Sequence, residues 1–451
     1  MAGNNKRTPD AAHGATPGPI PPDEPATMQP PALASERHLL ELVSAELAIS
    51  GVAGETRLVQ LLYLVVTSRL LERPCSVAVK GPSAGGKSFV VEQVLGLFPP
   101  AAYYALSAMS ERALVYDREP LAHRMLVLYE AAGISGDIAS YLMRSLLSEG
   151  RISYVTVVKT KNGLEHRRIT REGPTGLITT TTAVSLHPEN ETRILSLTVT
   201  DSPAQTRAIM LAHAIRTRFD RDHQAWHDLQ TWLAATAIDV VVPYAAALAE
   251  AIPPVAVRLR RDFPTLITLI RAHALLHQLH RDRDQEGAIL ANFEDYATVR
   301  LLIADLLADA AERAVTTTVR ETVTAIGQLT GDHDPLDEGV PLTRVAALLR
   351  IDKSTALRRV RVAIARGFVR NLEERRGRPA RLVLGEPLPN DSVLLPMTSE
   401  LERLHGCVAV GGDDMPFELD YPRSADELDP SDEDPPADPQ AGGPVAASSA
   451  R

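Results

Sequence analysis

Cysteine is nearly absent: 451 residues contain two, Cys75 and Cys407. They lie far apart, so neither a disulfide framework nor a four-cysteine zinc site is available, and a reducing, cytoplasmic setting is expected. Aromatic residues are scarce at 4%. Long apolar runs are missing as well. The strongest, LVQLLYLVV from Leu58 to Val66, is flanked by charge and too short to span a bilayer. No charged-then-apolar leader opens the chain, and no membrane partner is expected. What remains is a globular composition, 45% hydrophobic and 23% charged, with length for two to four domains.

The formal net charge of −10 is unevenly spread. Residues 411–451 hold eleven acids against two arginines, a net −9, so the other 410 residues sum to about −1. Within them, residues 341–388 carry twelve cations against four acids, +8. A basic module of this size suggests a nucleic-acid surface, next to an acidic tail.

Patterning divides the chain further. Residues 1–35 are rich in Pro, Gly, Ala and Thr and read as disordered. Residues 36–204 alternate short apolar strands with helices, which argues an α/β layer around a parallel sheet. The segment RISYVTVVKTKNGLEHRRIT breaks that alternation: two β-rich runs flank Asn162-Gly163, a hairpin signal. Residues 205–330 read as helical, 331–339 as a polar linker, 340–388 as a separate small domain, and 389–451 as an acidic, largely disordered tail.

The chemistry is concentrated in CSVAVKGPSAGGKSFVVEQVL, Cys75 to Leu95. Gly81, Pro82, Ser83, Ala84, Gly85, Gly86, Lys87 and Ser88 satisfy G-x-x-x-x-G-K-[ST], with a strand before and a helix after. Backbone amides of such a turn, with the helix dipole, cradle phosphates. Lys87 is placed to reach the β- and γ-phosphates and Ser88 to ligate Mg²⁺, which points to ATP and Mg²⁺. An ATPase also needs an acid at the end of a neighbouring strand. RMLVLYE ends on Glu130, the candidate general base; Tyr129 stands where the usual pattern has Asp, and Asp137 is an alternative acid.

With these parts placed, the order resembles an AAA+ ATPase, and within it the minichromosome-maintenance helicases and similar helicases of mobile elements, over roughly residues 50–310 and the C-terminal module. The resemblance implies an α/β P-loop core with a parallel sheet, a helical lid and a C-terminal winged helix. It implies a homo-oligomer, a hexameric ring, acting on DNA with a replication or loading partner. The hairpin from Arg151 to Arg171 then projects into a central channel, with Lys159, Lys161, Arg167 and Arg168 at or near its tip gripping DNA. The strand GLITTTTAV resembles the one that positions the attacking water. Where the family carries Asn, this chain offers Thr180 or Thr181. Arg193, in NETRILSL, matches the arginine that reaches a neighbouring subunit's γ-phosphate, and Arg261, with Arg260 beside it, matches the lid arginine. The lid also carries His273, His277 and His280 on one helical face. That spacing suits a metal, but no carboxylate or cysteine is in view, so a solvated or packing face is expected. The family's four-cysteine zinc ribbon cannot be built here.

Residues 342–384 read as a winged helix-turn-helix. Thr343 is expected to cap a short helix to Leu349. A second helix, Lys353 to Ala365, turns Leu357, Val360 and Ile364 inward and leaves Lys353, Ser354, Arg358, Arg359 and Arg361 outside. The hairpin beyond it carries Arg375, Arg376 and Arg378 at its tip, basic residues suited to backbone phosphates. The expected function is a DNA-acting AAA+ ATPase, helicase- or translocase-like. The alternatives are an ATP-dependent transcriptional regulator or a nucleotide-binding ATPase with weak hydrolysis.

Overall fold

The computed structural model describes residues 29–410 except 108–109, 111–112, 131–136, 161–162, 183–192, 216–221, 237–238, 314, 332–338, 374, 376–377 and 389–393. The chain divides into Met1–Gly406 and Cys407–Arg451, and the former is the unit described below.

Two helices, α1 (Leu39–Ile49) and α2 (Thr56–Thr67), lead into the α/β layer. There follow β1 (Val77–Lys80), α3 (Lys87–Leu95), β2 (Tyr103–Leu106), α4 (Ala113–Tyr116), β3 (Arg124–Leu128) and α5 (Asp137–Glu149). The hairpin β4 (Arg151–Thr160) and β5 (Gly163–Glu172) precedes β6 (Thr175–Thr181) and β7 (Leu195–Thr198). Five strands pair in the order β2-β3-β6-β1-β7, every neighbour parallel. Val77, Ala78 and Val79 of β1 are fully buried, as a central parallel strand covered on both faces requires. The order matters for the site: one strand, β6, separates the strand that feeds the phosphate loop from the strand that leads to Glu130.

Helices then dominate: α6 (Pro203–Ile215), α7 (Gln224–Ala235), α8 (Ala245–Ala251), α9 (Leu259–Leu276) and α10 (Phe293–Arg313), with a two-residue parallel pair, β8 (Val240–Val241) and β9 (Ile289–Leu290). An aromatic joint ties this layer to the core. Tyr63 of α2 meets Phe98 at 4.8 Å between ring centroids and Trp226 of α7 at 5.7 Å, edge-on.

The last part comprises α11 (Thr317–Gly331), α12 (Leu342–Leu348), α13 (Lys353–Ala365) and the antiparallel pair β10 (Val369–Asn371) and β11 (Leu382–Leu384), followed by α14 (Thr398–Val410). Helix α11, read from sequence as lid, packs on α12, α13 and β11 instead. Pro341, not Thr343, occupies the N-cap of α12. The N-cap of α13 is Asp352, whose carboxylate accepts the Ser354 and Thr355 N–H groups.

The face of α13 also differs from expectation. Ala356, Val360 and Ala363 are buried, whereas Leu357 and Ile364 are each 37% exposed. A close neighbouring helix favours the small residues on the inward stripe. Arg359 turns toward that neighbour and pairs with Glu321 of α11 at 3.0 Å, so it does not stand clear with the other cations.

Both expected disordered ends shrink. Ala32–Ser35 forms a 3-10 turn that buries Ala34. Leu394, Leu395 and Leu401 are buried, and Tyr296 of α10 donates from its hydroxyl to the Pro396 carbonyl at 2.7 Å. Apolar residues placed just inside each polar end give the core something to hold. No helix among the described residues is long and apolar enough to cross a membrane.

Candidate functional site

The loop after β1 is built around close approach. Gly81 N–H donates to the Thr181 carbonyl at 3.3 Å, and Val199 N–H donates to Lys80 at 2.9 Å, so the loop leaves the sheet between two strand ends. A Cβ at Gly81 would lie 2.3 Å from Val199 Cγ2, which excludes any side chain there. Gly86 has φ +76° immediately before α3, a left-handed turn that aims the helix N-terminus into the cleft. Lys87 is buried along the loop, and its ammonium donates to the carbonyls of Gly81 at 3.0 Å and Pro82 at 2.6 Å.

Residues 83–88, Phe89, Glu130 and the threonines 180–182 line one cleft of about 310 Å³. Helix-terminal amides, an ammonium, hydroxyls and a carboxylate form a set of donors suited to a polyphosphate and a hard divalent cation. Glu130 follows the end of β3 with φ +66°, a conformation uncommon for a residue with a Cβ. Its N–H donates to Thr180 Oγ1 at 3.0 Å. That bond comes from register: Leu128 pairs with Thr179, which sets Thr180 beside the turn to Glu130. Thr180 is thus a hydroxyl that holds the backbone of Glu130. Thr180→Val keeps the volume and removes the acceptor. We expect a stability loss of about 1 kcal/mol in thermal unfolding, since the Glu130 N–H loses its acceptor, and roughly tenfold slower phosphate release as the backbone turn that carries the acid loosens. Wild-type turnover would deny Thr180 a role in placing Glu130.

Tyr129 does not line the cleft. It is half-buried, its N–H donates to the Leu106 carbonyl at 3.1 Å, and burial with the Glu92 carboxylate nearby pushes its phenol up to about 12. It stays neutral and supplies no charge for a metal. Among the described residues lining the cleft, Glu130 is the carboxylate.

Arg193 and Arg261 stand elsewhere, and together. Neither lines the cleft of its own chain. Arg193 Nη1 donates to Ser148 Oγ of α5, and its Nε is buried with no partner among the described residues. Burial, with the guanidinium groups of Arg261 and Arg144 beside it, pulls the Arg193 pKa below its ordinary value. The start of α9 reaches the same place: Arg258 donates to the Ile194 carbonyl at 3.5 Å while pairing with Asp262 at 3.1 Å. Pro264 lies inside α9 and the helix continues through it.

Of the three histidines, His273 of α9 and His277 at its C-cap are packed, while His280 lies beyond the helix in the 3-10 turn Gln278–His280 and is partly exposed. His273 and His277 are buried and their rings stack at 4.3 Å. His273 Nδ1 bonds the Asp295 carboxylate at 2.6 Å, which Arg281 also clamps at 2.7 and 2.9 Å. Burial pushes His277 down to about 3, so it is neutral. No His, Cys, Asp and Glu group among the described residues is arranged to hold a metal.

The β4–β5 ribbon carries the candidate DNA cations. Thr160 pairs with Gly163 across the end of the ribbon, and residues 161–162 between them lie outside the described residues. Arg167 and Arg168 are exposed but lie opposite Thr156 and Val155, several residues below the tip and on opposite faces of the ribbon. On α13, Lys353, Ser354, Arg358 and Arg361 are exposed, as are Arg375 and Arg378 beyond β10. Lys161, Arg376 and the Lys159 side chain lie outside the described residues. Phe89 and Thr182 also line the cleft; the phosphate-loop motif ends at Ser88 and does not reach them.

No protein-family model matches the chain, and no curated protein sequence does. Among solved structures, a full-length MCM homologue from Methanopyrus kandleri aligns at 11% identity and a TM-score of 0.42. The alignment covers 62% of this chain and spans 60% of that one. The Aeropyrum pernix ORC1 protein, solved in complex with DNA, aligns at 12% identity and a TM-score of 0.26, over 79% of this chain and 94% of that one.

Proposed function

We propose that the chain is a DNA-acting AAA+ ATPase, helicase- or translocase-like, that hydrolyses ATP at the interfaces of a ring of identical subunits. The observation that carries this reading is the cleft itself, in which the phosphate loop, Lys87 and Ser88 share one space with Glu130, whose backbone N–H is held by Thr180. Loop amides and Lys87 bind the β- and γ-phosphates. The Glu130 carboxylate takes a proton from the water that attacks the γ-phosphorus, and the bond to the β-phosphate oxygen breaks to leave ADP and phosphate. Mg²⁺, held through the Ser88 hydroxyl, would neutralise charge on the transferring group. Arg193, with Arg261 beside it, faces the cleft of an adjacent subunit.

The hairpin and the C-terminal module, read as a winged helix, supply the DNA contacts. Exposed Arg167 and Arg168, one on each face of the ribbon, contact single-stranded DNA, and α13 with the basic turn beyond β10 docks on duplex. Arg167→Ala with Arg168→Ala should remove DNA stimulation of the ATPase, leave basal hydrolysis within about twofold, and lower the salt slope of single-strand binding by about 1.4. Stimulation at wild-type level would exclude the ribbon from the grip.

The neutral Tyr129 favours a second reading, nucleotide binding with slow turnover. One measurement separates these readings: phosphate release with no DNA, with single-stranded DNA and with duplex. Stimulation by any single strand supports the motor. A sequence-specific duplex shift with no stimulation supports a regulator, and saturable binding with negligible release supports the slow ATPase.

A further inference from the structure

The cleft has one wall that phosphate chemistry does not explain. The other lining side chains are small, hydroxyl-bearing or charged; Phe89 is a whole aromatic ring. It is 42% exposed, although the valines that follow it in α3, Val90 and Val91, are buried. Phe89 is thus outside the helix's packing face, and the core does not account for it. In a chain with seven phenylalanines in all, one stands in water beside a loop built for anions. Exposed aromatic surface of this kind gains when a flat apolar group covers it.

Position along the helix says which group. Lys87 and Ser88, the first two residues of α3, serve the β- and γ-phosphates and the metal; Phe89 is the next residue. The nucleoside is joined to the same phosphate chain that these groups hold, and Phe89 is the aromatic side chain lining the cleft beside them. A nucleotide is a polyanion joined to a flat aromatic ring, and the cleft offers an anion cradle with a flat aromatic ring at its rim. We propose that Phe89 is the surface on which the nucleoside, base or ribose, packs. This rests on reading the cleft as a nucleotide site. Contact with a π-face tolerates every base, so Phe89 supplies affinity for nucleosides without choosing among them.

The test is calorimetric titration of the full chain with ATP, ADP, GTP and inorganic tripolyphosphate, in the wild type and in Phe89→Ala, Phe89→Tyr and Lys87→Ala. Phe89→Ala should weaken ATP, ADP and GTP alike by about tenfold or more and leave tripolyphosphate within about twofold; Phe89→Tyr should bind as wild type. Because the ring is exposed, Phe89→Ala should melt within a few degrees of wild type. Unchanged nucleotide affinity overturns the proposal, as does an equal loss for tripolyphosphate, which would mean that the ring only props the loop. Lys87→Ala should weaken all four ligands. If it weakens none, the phosphate reading of the cleft fails separately, and a wild type that binds no nucleotide sinks both.

Discussion

Lys87→Ala is expected to abolish ATP turnover, by at least about a hundredfold, while the chain remains folded. Two effects combine. The first is the loss of a positive charge that the transition state needs, in a cleft where Glu130 and incoming phosphates are negative. The second is mechanical. The buried ammonium spans the loop by donating to Gly81 and Pro82, at 3.0 and 2.6 Å. Alanine releases both carbonyls, at a stability cost of about 1.5–3 kcal/mol for bonds to a charged donor. Lys87→Met removes the charge and both hydrogen bonds but keeps the packing of the stem, so its comparison with alanine isolates the packing contribution. It should lose turnover as fully as alanine and melt higher. Steady-state phosphate release with thermal unfolding checks this, and turnover near wild type in either variant would end the phosphate-site reading.

The phosphate loop was legible because its parts are contiguous: strand, glycine turn, Lys87 and Ser88 follow one another, so local chemistry specifies local geometry. Glu130 was legible as the end of an apolar run, but its partner was not. The bond from its N–H to Thr180 depends on the β3–β6 register, which brings together residues about fifty positions apart. The face of α13 shows another limit. Helical period alone selects the large residues Leu357 and Ile364 for the interior. The structure buries Ala356 and Ala363, because α11 packs on this helix and Arg359 reaches across to Glu321. The histidines of α9 show the same thing with polar groups. Their spacing is visible in sequence, but what decides between solvent and core is Asp295, twenty-two residues beyond His273, and its clamp by Arg281. The Asn-Gly pair marked the hairpin, whose strands pair along ten residues each.

Arg193→Ala should reduce turnover by about a thousandfold or more, and mixing it with Lys87→Ala subunits should restore activity that neither has alone. Under the proposed function the two halves come from different chains. Arg193 does not line its own cleft; it is held by Ser148 and shares its surroundings with Arg144 and Arg261. Arg193 carries its charge at a partly buried place, where an incoming anion pairs with it more strongly than in open water. A γ-phosphate on an adjacent subunit is such an anion, and it delivers the stabilisation where negative charge rearranges during hydrolysis. In a head-to-tail ring each interface needs an intact Lys87 on one side and an intact Arg193 on the other. Each variant ring alone has no complete interface. In an equal random mixture roughly one interface in four joins the intact Lys87 of an Arg193→Ala subunit to the intact Arg193 of a Lys87→Ala subunit, so turnover near a quarter of wild type is expected. A mixture as inactive as its components would show that Arg193 does not act across an interface. Substantial activity of Arg193→Ala alone would remove it from the chemistry altogether. Complementation with the predicted stoichiometry would at the same time establish the ring, because a chain that completes its own site cannot be rescued by its neighbour.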